Sequence, residues 1–152
     1  MLLHASGLLR KSPEVRQYFS RKFTHILVDE FQDTDPIQAE VVLYLTGTDF
    51  EEKNWRKLVP RPGSLFLVGD PKQSIFRFRR ADIDTYNIVK EQVKKAGGEI
   101  LYLTANFRSL PSLANWSNPV FKSIFPAKSD RYQPEYAPLN TVREGEANTW
   151  FG

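Results

Sequence analysis

The stretch FTHILVDEFQDTD, residues 23–35, sets the fold class of this chain. It begins with a short apolar run that contains β-branched side chains, which is typical of a strand buried on both faces. Two acids, Asp29 and Glu30, follow at once. Asp35-Pro36 then opens a helix, because Asp caps helix N-termini and Pro suits the first helical position. The stretch therefore predicts a strand, an acidic loop and a helix in succession.

The same succession occurs twice more along the chain. Residues 64–68, SLFLV, form a second predicted strand, and a helix follows from Asp82. Residues 99–103, EILYL, form a third, and a helix follows from Ser109. Three strand–loop–helix units predict an α/β fold, a parallel sheet flanked by helices. In such sheets the chemistry lies beyond the carboxyl ends of the strands.

Composition narrows the class of protein. The chain has 152 residues, of which 41% are apolar and 26% charged, and this balance predicts a globular fold. Its net charge of +3 permits contact with nucleic acid without requiring it. With no cysteine, the sequence excludes disulfides, thiolate metal sites and cysteine nucleophiles. No apolar run approaches the ~20 residues of a membrane span, and no signal peptide is recognisable, so we expect a cytoplasmic protein without membrane contact.

The composition and apolar pattern of the sequence change after residue 125. Pro126, Pro134 and Pro138 punctuate a stretch with few periodic apolar positions. We therefore expect a folded part over residues 1–125 and an extended connector over residues 126–152.

The first set of polar residues is acidic. Four carboxylates lie within the seven residues from Asp29 to Asp35, with no basic residue among them. Adjacent acids at the end of a buried strand are costly unless a cation compensates them. Mg²⁺ takes one or two carboxylates together with phosphate oxygens and water, so Asp29 can hold the ion while Glu30 polarises an attacking water. The alternative is a solvated cluster at a helix start, with Asp35 as the cap.

A basic and aromatic loop follows the second predicted strand. From Pro71 to Arg80 it carries four cationic side chains and no acid, and Phe76 and Phe78 alternate with arginines such as Arg79. This interleaving suits single-stranded nucleic acid, because bases stack on the rings while arginines follow the phosphates. The alternative places the rings in the core and the arginines on a wet surface. Gln73, in the same loop, offers an amide to a phosphate or a water.

The third set lies just past the third predicted strand, at Asn106-Phe107-Arg108-Ser109. Arg108 can stabilise phosphoryl charge there, although an isolated Arg is also common as a surface or ion-pair residue. Taken together, acids, an amide and an arginine at the ends of three successive strands indicate nucleotide phosphate chemistry beside a groove for a nucleic-acid strand.

Three strings in this sequence resemble motifs II, III and IV of the UvrD/Rep class of superfamily-one helicases, in the order that the family has them. They are VDEFQDTD at residues 28–35, GDPKQSIFRFRRAD at residues 69–82 and LTANFRS at residues 103–109. The sequences of these motifs are most similar to those of the helicase–nuclease subunits RecB and AddA, the exonuclease V beta subunit-like proteins. The matching span runs from about Phe23 to Phe121.

This resemblance implies part of a RecA-like P-loop NTPase domain in a protein of DNA repair or recombination. Such proteins hydrolyse ATP, with Mg²⁺, to move 3′ to 5′ along single-stranded DNA and separate the duplex ahead. By the same resemblance, Asp29 binds the Mg²⁺ and Glu30 is the catalytic base. Gln73 senses the γ-phosphate, and Arg108 contacts it.

The resemblance also implies partners: single-stranded and duplex DNA, and a partner subunit of a helicase–nuclease complex. Phe76 and Phe78 match the aromatic positions of the single-strand groove, with Arg79 beside them. The family usually has Tyr at the first position and often Trp at the second, yet both Phe rings still stack. Arg80 stands where Gly is common, which adds charge and reduces the flexibility of the turn.

The sequence contains no G-x-x-x-x-G-K-[ST] phosphate loop. The family carries that loop upstream, on a strand that would lie between the second and third strands predicted here. We therefore expect an internal fragment that lacks the Walker A strand, leaves residues 99–103 without a neighbour, and has little or no ATPase activity alone. The alternative is a non-catalytic DNA- or partner-binding remnant. A generic doubly wound domain is a third interpretation, against which the long basic loop argues.

Overall fold

Two short strands pair in the first part of the chain, and the face of the pair that carries Leu27 and Phe66 is exposed, so the prediction of burial on both faces is wrong. In the computed structural model, which describes residues 1–74, 83–128 and 135–142, β1 spans Ile26–Val28 and β2 spans Leu65–Leu67. They pair in parallel, with Ile26 opposite Leu65 and Val28 opposite Leu67. Both strands fall inside the predicted apolar runs. The α/β class with parallel pairing and flanking helices is confirmed.

The chain divides between Ile100 and Leu101 into two compact units. In the described residues of the first unit, the helices are α1 (Leu2–Lys11), α2 (Pro13–Lys22), α3 (Pro36–Thr46) and α4 (Ile83–Lys95). Ser12, followed by Pro13 and Glu14, is a predicted cap like Asp35, and both caps are present: the Ser12 hydroxyl accepts from the backbone of Val15, and the Asp35 carboxylate accepts from the backbone of Ile37 and Gln38. These local signals fix where α2 and α3 begin.

The core of the first unit lies around α3, on which α1 and α2 pack. Leu43 and Tyr44 of α3 and Val89 of α4 are almost completely buried. The polar, proline-containing sequence of segment 48–63 predicts a surface loop, yet the segment supplies two further core residues, Trp55 in a 3₁₀ turn and Leu58 at its end. A loop predicted from its polarity thus contributes apolar anchors to the core.

The sequence predicts one apolar face on α2 from Val15, Tyr18 and Phe19, and two of the three, Val15 and Phe19, pack against the core. Tyr18, predicted to face the core, is exposed, whereas Arg16 is completely buried. The Arg16 guanidinium stacks 4.2 Å from the centre of the Tyr44 ring and donates to backbone carbonyls, among them those of Leu9 and Glu52. Burial lowers the pKa of Arg16, yet the carbonyl acceptors satisfy its donors. The Arg16 side chain therefore ties α1 and the loop after α3 to α2.

The third predicted strand, residues 99–103, does not form a strand, and this prediction is wrong. A strand needs hydrogen-bonded neighbours, and within the described ranges no segment pairs with these residues. Leu101, Tyr102 and Leu103 are instead highly exposed.

The described residues of the second unit form one main helix, α5 (Pro111–Ile124), and two very short strands, β3 (Ala105–Asn106) and β4 (Asn140–Thr141), which pair in parallel. Pro119 was expected to kink or shorten the helix, but α5 continues to Ile124. The Asn118 amide exchanges two hydrogen bonds with the backbone of Leu139, which holds residues 135–142 to the helix. None of the described helices combines the length and apolar character needed to cross a bilayer.

Candidate functional site

Backbone hydrogen bonds continue the pairing of β1 and β2 past the ends of the strands. The Val68 N–H donates to the Val28 carbonyl at 2.9 Å, and the Phe31 N–H donates to the Val68 carbonyl at 2.9 Å. Because the strands are parallel, both leave the sheet at the same edge. The acidic segment after β1 and the Gly69-Asp70 turn after β2 therefore lie side by side.

Asp29 and Glu30 form a tight, exposed turn at this edge. Glu30 has φ 51° and ψ 42°, and among the described residues it is the non-glycine residue with a positive φ. The Asp29 carboxylate accepts from the Glu30 N–H at 2.9 Å. A left-handed conformation in a residue with a Cβ costs free energy, and such residues concentrate at functional sites. The turn directs two consecutive carboxylates to the place predicted for phosphate chemistry.

Gln32 joins the two sides of this edge, and the sequence reasoning missed it. Its side chain is 4% exposed. Its Nε2 donates to the Glu30 Oε2 at 2.6 Å, and its Oε1 accepts from the Asp70 N–H at 3.0 Å. Its backbone carbonyl accepts from the Ser74 hydroxyl at 3.1 Å. The signal that could have found it is an uncharged amide set among four acids.

Gly69 allows the two segments to approach this closely. A Cβ at this position would lie 2.9 Å from the Gln32 Oε1 and 3.2 Å from the backbone nitrogens of Phe31 and Gln32. Two of these three atoms are backbone, which cannot move aside easily. The glycine is therefore required by close packing against Gln32.

Gln73 lies on the other side of the same network. It is exposed at the end of a 3₁₀ turn, Pro71–Gln73, which Asp70 caps by accepting from the Lys72 N–H. The Gln73 Nε2 donates to the Asp70 Oδ2 at 3.1 Å. A continuous run of hydrogen bonds thus leads from Gln73 through Asp70 and Gln32 to the Glu30 carboxylate. The structure brings the acids and this amide to one edge, as expected from the order of the strands.

The other predicted site residues are placed differently. Arg108 belongs to the second unit, where it is exposed, and its N–H donates to the Asn106 side chain at 2.8 Å. Asn106 also accepts from the Ser109 N–H, so its side chain holds this turn. The predicted DNA-binding residues Phe76, Phe78 and Arg79 lie outside the described residues.

The acidic edge offers a cation two exposed carboxylates, those of Asp29 and Glu30. Within the described ranges, no group of three or more acidic, His or Cys side chains could hold a metal ion. Mg²⁺ commonly takes one or two carboxylates and fills its other positions with water and substrate phosphates. Asp29 matches that requirement: it is exposed, and one of its carboxylate oxygens accepts from the Glu30 N–H.

Comparisons with known proteins give a consistent result. The UvrD/REP helicase N-terminal domain matches residues 1–94. The chain is 35% identical to the RecBCD enzyme subunit RecB of Chlamydia muridarum over 148 residues, which cover 95% of this chain and 13% of that protein. It is 34% identical to an ATP-dependent helicase/nuclease subunit of Levilactobacillus brevis over 117 residues, which cover 75% of this chain and 8% of that protein.

A third relative carries a different name. The ATP-dependent DNA helicase UvrD1 of Mycobacterium tuberculosis is 36% identical over 114 residues, which cover 75% of this chain and 14% of that protein. The chain thus spans between 8% and 14% of the length of these three curated relatives. Since the matched domain covers more than half of its residues, the chain belongs to the UvrD/Rep helicase family.

Proposed function

We propose that this chain is one segment of an ATP-dependent DNA helicase motor, of the RecB/AddA-like kind, which couples ATP hydrolysis to 3′ to 5′ movement on single-stranded DNA. The hydrogen-bonded edge that links Glu30 to the loop of Gln73 carries this proposal. Family membership supports it, because two of the relatives are an ATP-dependent helicase/nuclease subunit and an ATP-dependent DNA helicase.

The chemistry assigned to the edge follows from its residue types. Asp29 would hold Mg²⁺, which would supply charge neutralisation to the phosphates of bound ATP. Glu30 accepts the proton of the attacking water as the water oxygen bonds to the γ-phosphorus and ADP leaves. Gln73, exposed beside Asp70, donates its amide to the γ-phosphate. These roles need carboxylates that stay accessible to solvent, and both Asp29 and Glu30 are exposed.

The remaining assignments rest on the resemblance alone. Arg108 contacts the γ-phosphate, and Phe76, Phe78 and Arg79 bind single-stranded DNA. The 152 residues act with further polypeptide that supplies the phosphate loop, since the sequence has no G-x-x-x-x-G-K-[ST] motif and spans a small share of its relatives. Alone, the chain has little or no ATPase activity. The longer protein that contains these residues acts in DNA repair or recombination, together with a partner subunit.

Glu30→Gln in the full-length protein that carries these residues tests the proposal. We expect kcat for DNA-stimulated ATP hydrolysis to fall by about 10²- to 10⁴-fold, because the general base is removed while the shape is kept. ATP affinity, followed by titration with a fluorescent ATP analogue, is expected to stay within about threefold, because the phosphate contacts remain.

Glu14→Gln is the matched control, since Glu14 is an exposed acid in the first turn of α2, away from the edge. It is expected to leave kcat unchanged. Full turnover in Glu30→Gln would remove Glu30 as the base. Robust DNA-stimulated phosphate release by the isolated 152 residues would contradict the proposal that further polypeptide is needed.

A further inference from the structure

Gln32 is a buried amide in contact with a candidate catalytic group, and no role has been assigned to it above. Its side chain has two ends, and each has a different partner: Glu30 at the Nε2 end and Asp70 at the Oε1 end. At 2.6 Å, the bond to the Glu30 carboxylate is short for an N–H donor, as charge-assisted bonds are. A side chain with both ends bonded in this way has little freedom to rotate.

We propose that Gln32 is the positioning residue of this site: it fixes the Glu30 carboxylate and connects it to the loop that carries Gln73. This inference rests on the proposed function. The contact of Gln32 with Glu30 sets where one carboxylate oxygen lies, which leaves the other oxygen to receive a proton. Asp70 and Ser74, the residues on either side of the 3₁₀ turn Pro71–Gln73, are both hydrogen-bonded to Gln32.

Two features of the fold argue that this placement is built in. Gly69 packs closely against the Gln32 side chain. A Cβ at position 69 would lie 2.9 Å from the Gln32 Oε1, so the amide has little room to move. Glu30 adopts a left-handed conformation that does not persist without surrounding support. The bond from Gln32 supplies part of that support. A change at the γ-phosphate end of the network is therefore transmitted to the base through one side chain.

The test uses two variants of Gln32 in the full-length protein. Gln32→Met keeps the length and removes both polar contacts. Gln32→Glu keeps an acceptor for the Asp70 N–H but replaces the donor to Glu30 with a second carboxyl group, which repels the Glu30 carboxylate when ionised. We expect each to lower kcat for DNA-stimulated ATP hydrolysis about 10- to 100-fold, with KM for ATP changing less than about threefold, because the lost interaction acts on the attacking water more than on ATP binding.

Gln38→Met is the matched control. Gln38 also bonds through its side chain, accepting from the Asp35 N–H at 3.0 Å in the cap of α3, but it does not touch the edge. It is expected to lower the melting temperature and leave kcat unchanged within about twofold. A Gln32 variant that lowers only the melting temperature, as this control does, would reduce Gln32 to a structural residue.

Combining variants separates positioning of Glu30 from an independent effect. In the Glu30→Gln background, adding Gln32→Met is expected to change the residual kcat by less than about twofold, because the group through which Gln32 acts is already gone. A full further loss of about 10-fold or more would overturn the inference. If Gln32→Met does not fold, Gln32→Glu decides: wild-type kcat in that variant overturns the inference.

The outcomes also separate this inference from the proposed function. An inactive wild-type protein, or a fully active Glu30→Gln variant, removes the proposed function and the inference with it. An active wild type, an inactive Glu30→Gln variant and fully active Gln32 variants overturn the inference and leave the proposed function standing.

Discussion

Two apolar runs, residues 64–68 and 99–103, are similar in length and composition but differ in the structure they form. The first contains β2, which pairs along its length with β1 and has Leu65 and Leu67 packed against the core. The second forms no strand, and its Leu103 is 97% exposed. Local propensity is alike in the two runs. The comparison therefore teaches that a paired neighbour, more than the apolar run itself, decides whether a strand forms.

The same difference separates the two groups of candidate site residues. Glu30 and Gln73 are joined by hydrogen bonds between residues far apart in sequence, such as the one from Asp70 to Gln32. The backbone N–H of Arg108 donates to the side chain of Asn106 in a local turn, although Asn106 itself also pairs with Thr141 of β4. A paired sheet edge can fix polar groups from distant parts of the chain, whereas a local turn fixes only its own residues.

Replacing a leucine in each region is expected to give the largest stability contrast. Leu43→Ala removes a completely buried side chain from the core around α3 and is expected to cost about 2–5 kcal/mol. Leu103→Ala removes a side chain that is 97% exposed and is expected to change stability by less than about 0.5 kcal/mol. Urea unfolding of the 152-residue chain measures both. Equal losses would mean that Leu103 is buried in solution, and the comparison would break.

Short-range signals in the sequence predicted much of the first unit. The caps at Ser12 and Asp35 and the positions of β1 and β2 follow from local residue types, and all of them are present. The edge that gathers the acids follows from strand order. What could not be predicted depends on contacts between distant residues: the burial of Arg16, for example, needs carbonyls more than thirty positions away.

The candidate site shows the same limit. Asp29, Glu30 and Gln73 could be proposed from residue type and position after a strand. Gln32 could not, because its importance lies in a bond to Asp70, 38 residues further along the chain. The strand at residues 99–103 was predicted wrongly for the related reason that pattern alone does not supply a neighbour.

A pair of glycines tests how tightly the edge is packed. Gly69→Ala is expected to destabilise the chain by about 1–3 kcal/mol, because the new Cβ meets Gln32 and the backbone of Phe31. Gly7→Ala is the matched control. Gly7 lies within α1, where an added Cβ would have nothing within 4 Å, so the change is expected to stabilise by about 0.5–1 kcal/mol. Urea unfolding again reports both, and a neutral Gly69→Ala would show that the two segments are further apart than the contacts indicate.

The smallest expected effect concerns the Tyr44 hydroxyl and reports how well the core of the first unit excludes water. Burial raises the pKa of Tyr44 to about 12 from its ordinary 10.0, and its hydroxyl donates to the Lys53 carbonyl at 2.5 Å. Between these two values the unfolded chain loses the phenolic proton while the folded chain keeps it, so the free energy of unfolding falls as the pH rises. Below the ordinary pKa of 10.0 this contribution is fully present.

Tyr44→Phe isolates this contribution, because every other group that titrates at high pH is common to both proteins. The wild type is expected to be more stable than the variant by about 0.5–1.5 kcal/mol near pH 9, the worth of one hydrogen bond, and to lose that advantage as the pH approaches 12. Urea midpoints measured at several pH values give the difference. A constant difference across the range would mean that the Tyr44 hydroxyl reaches water, and that the first unit resembles the exposed segment 99–103 more closely than its packing indicates.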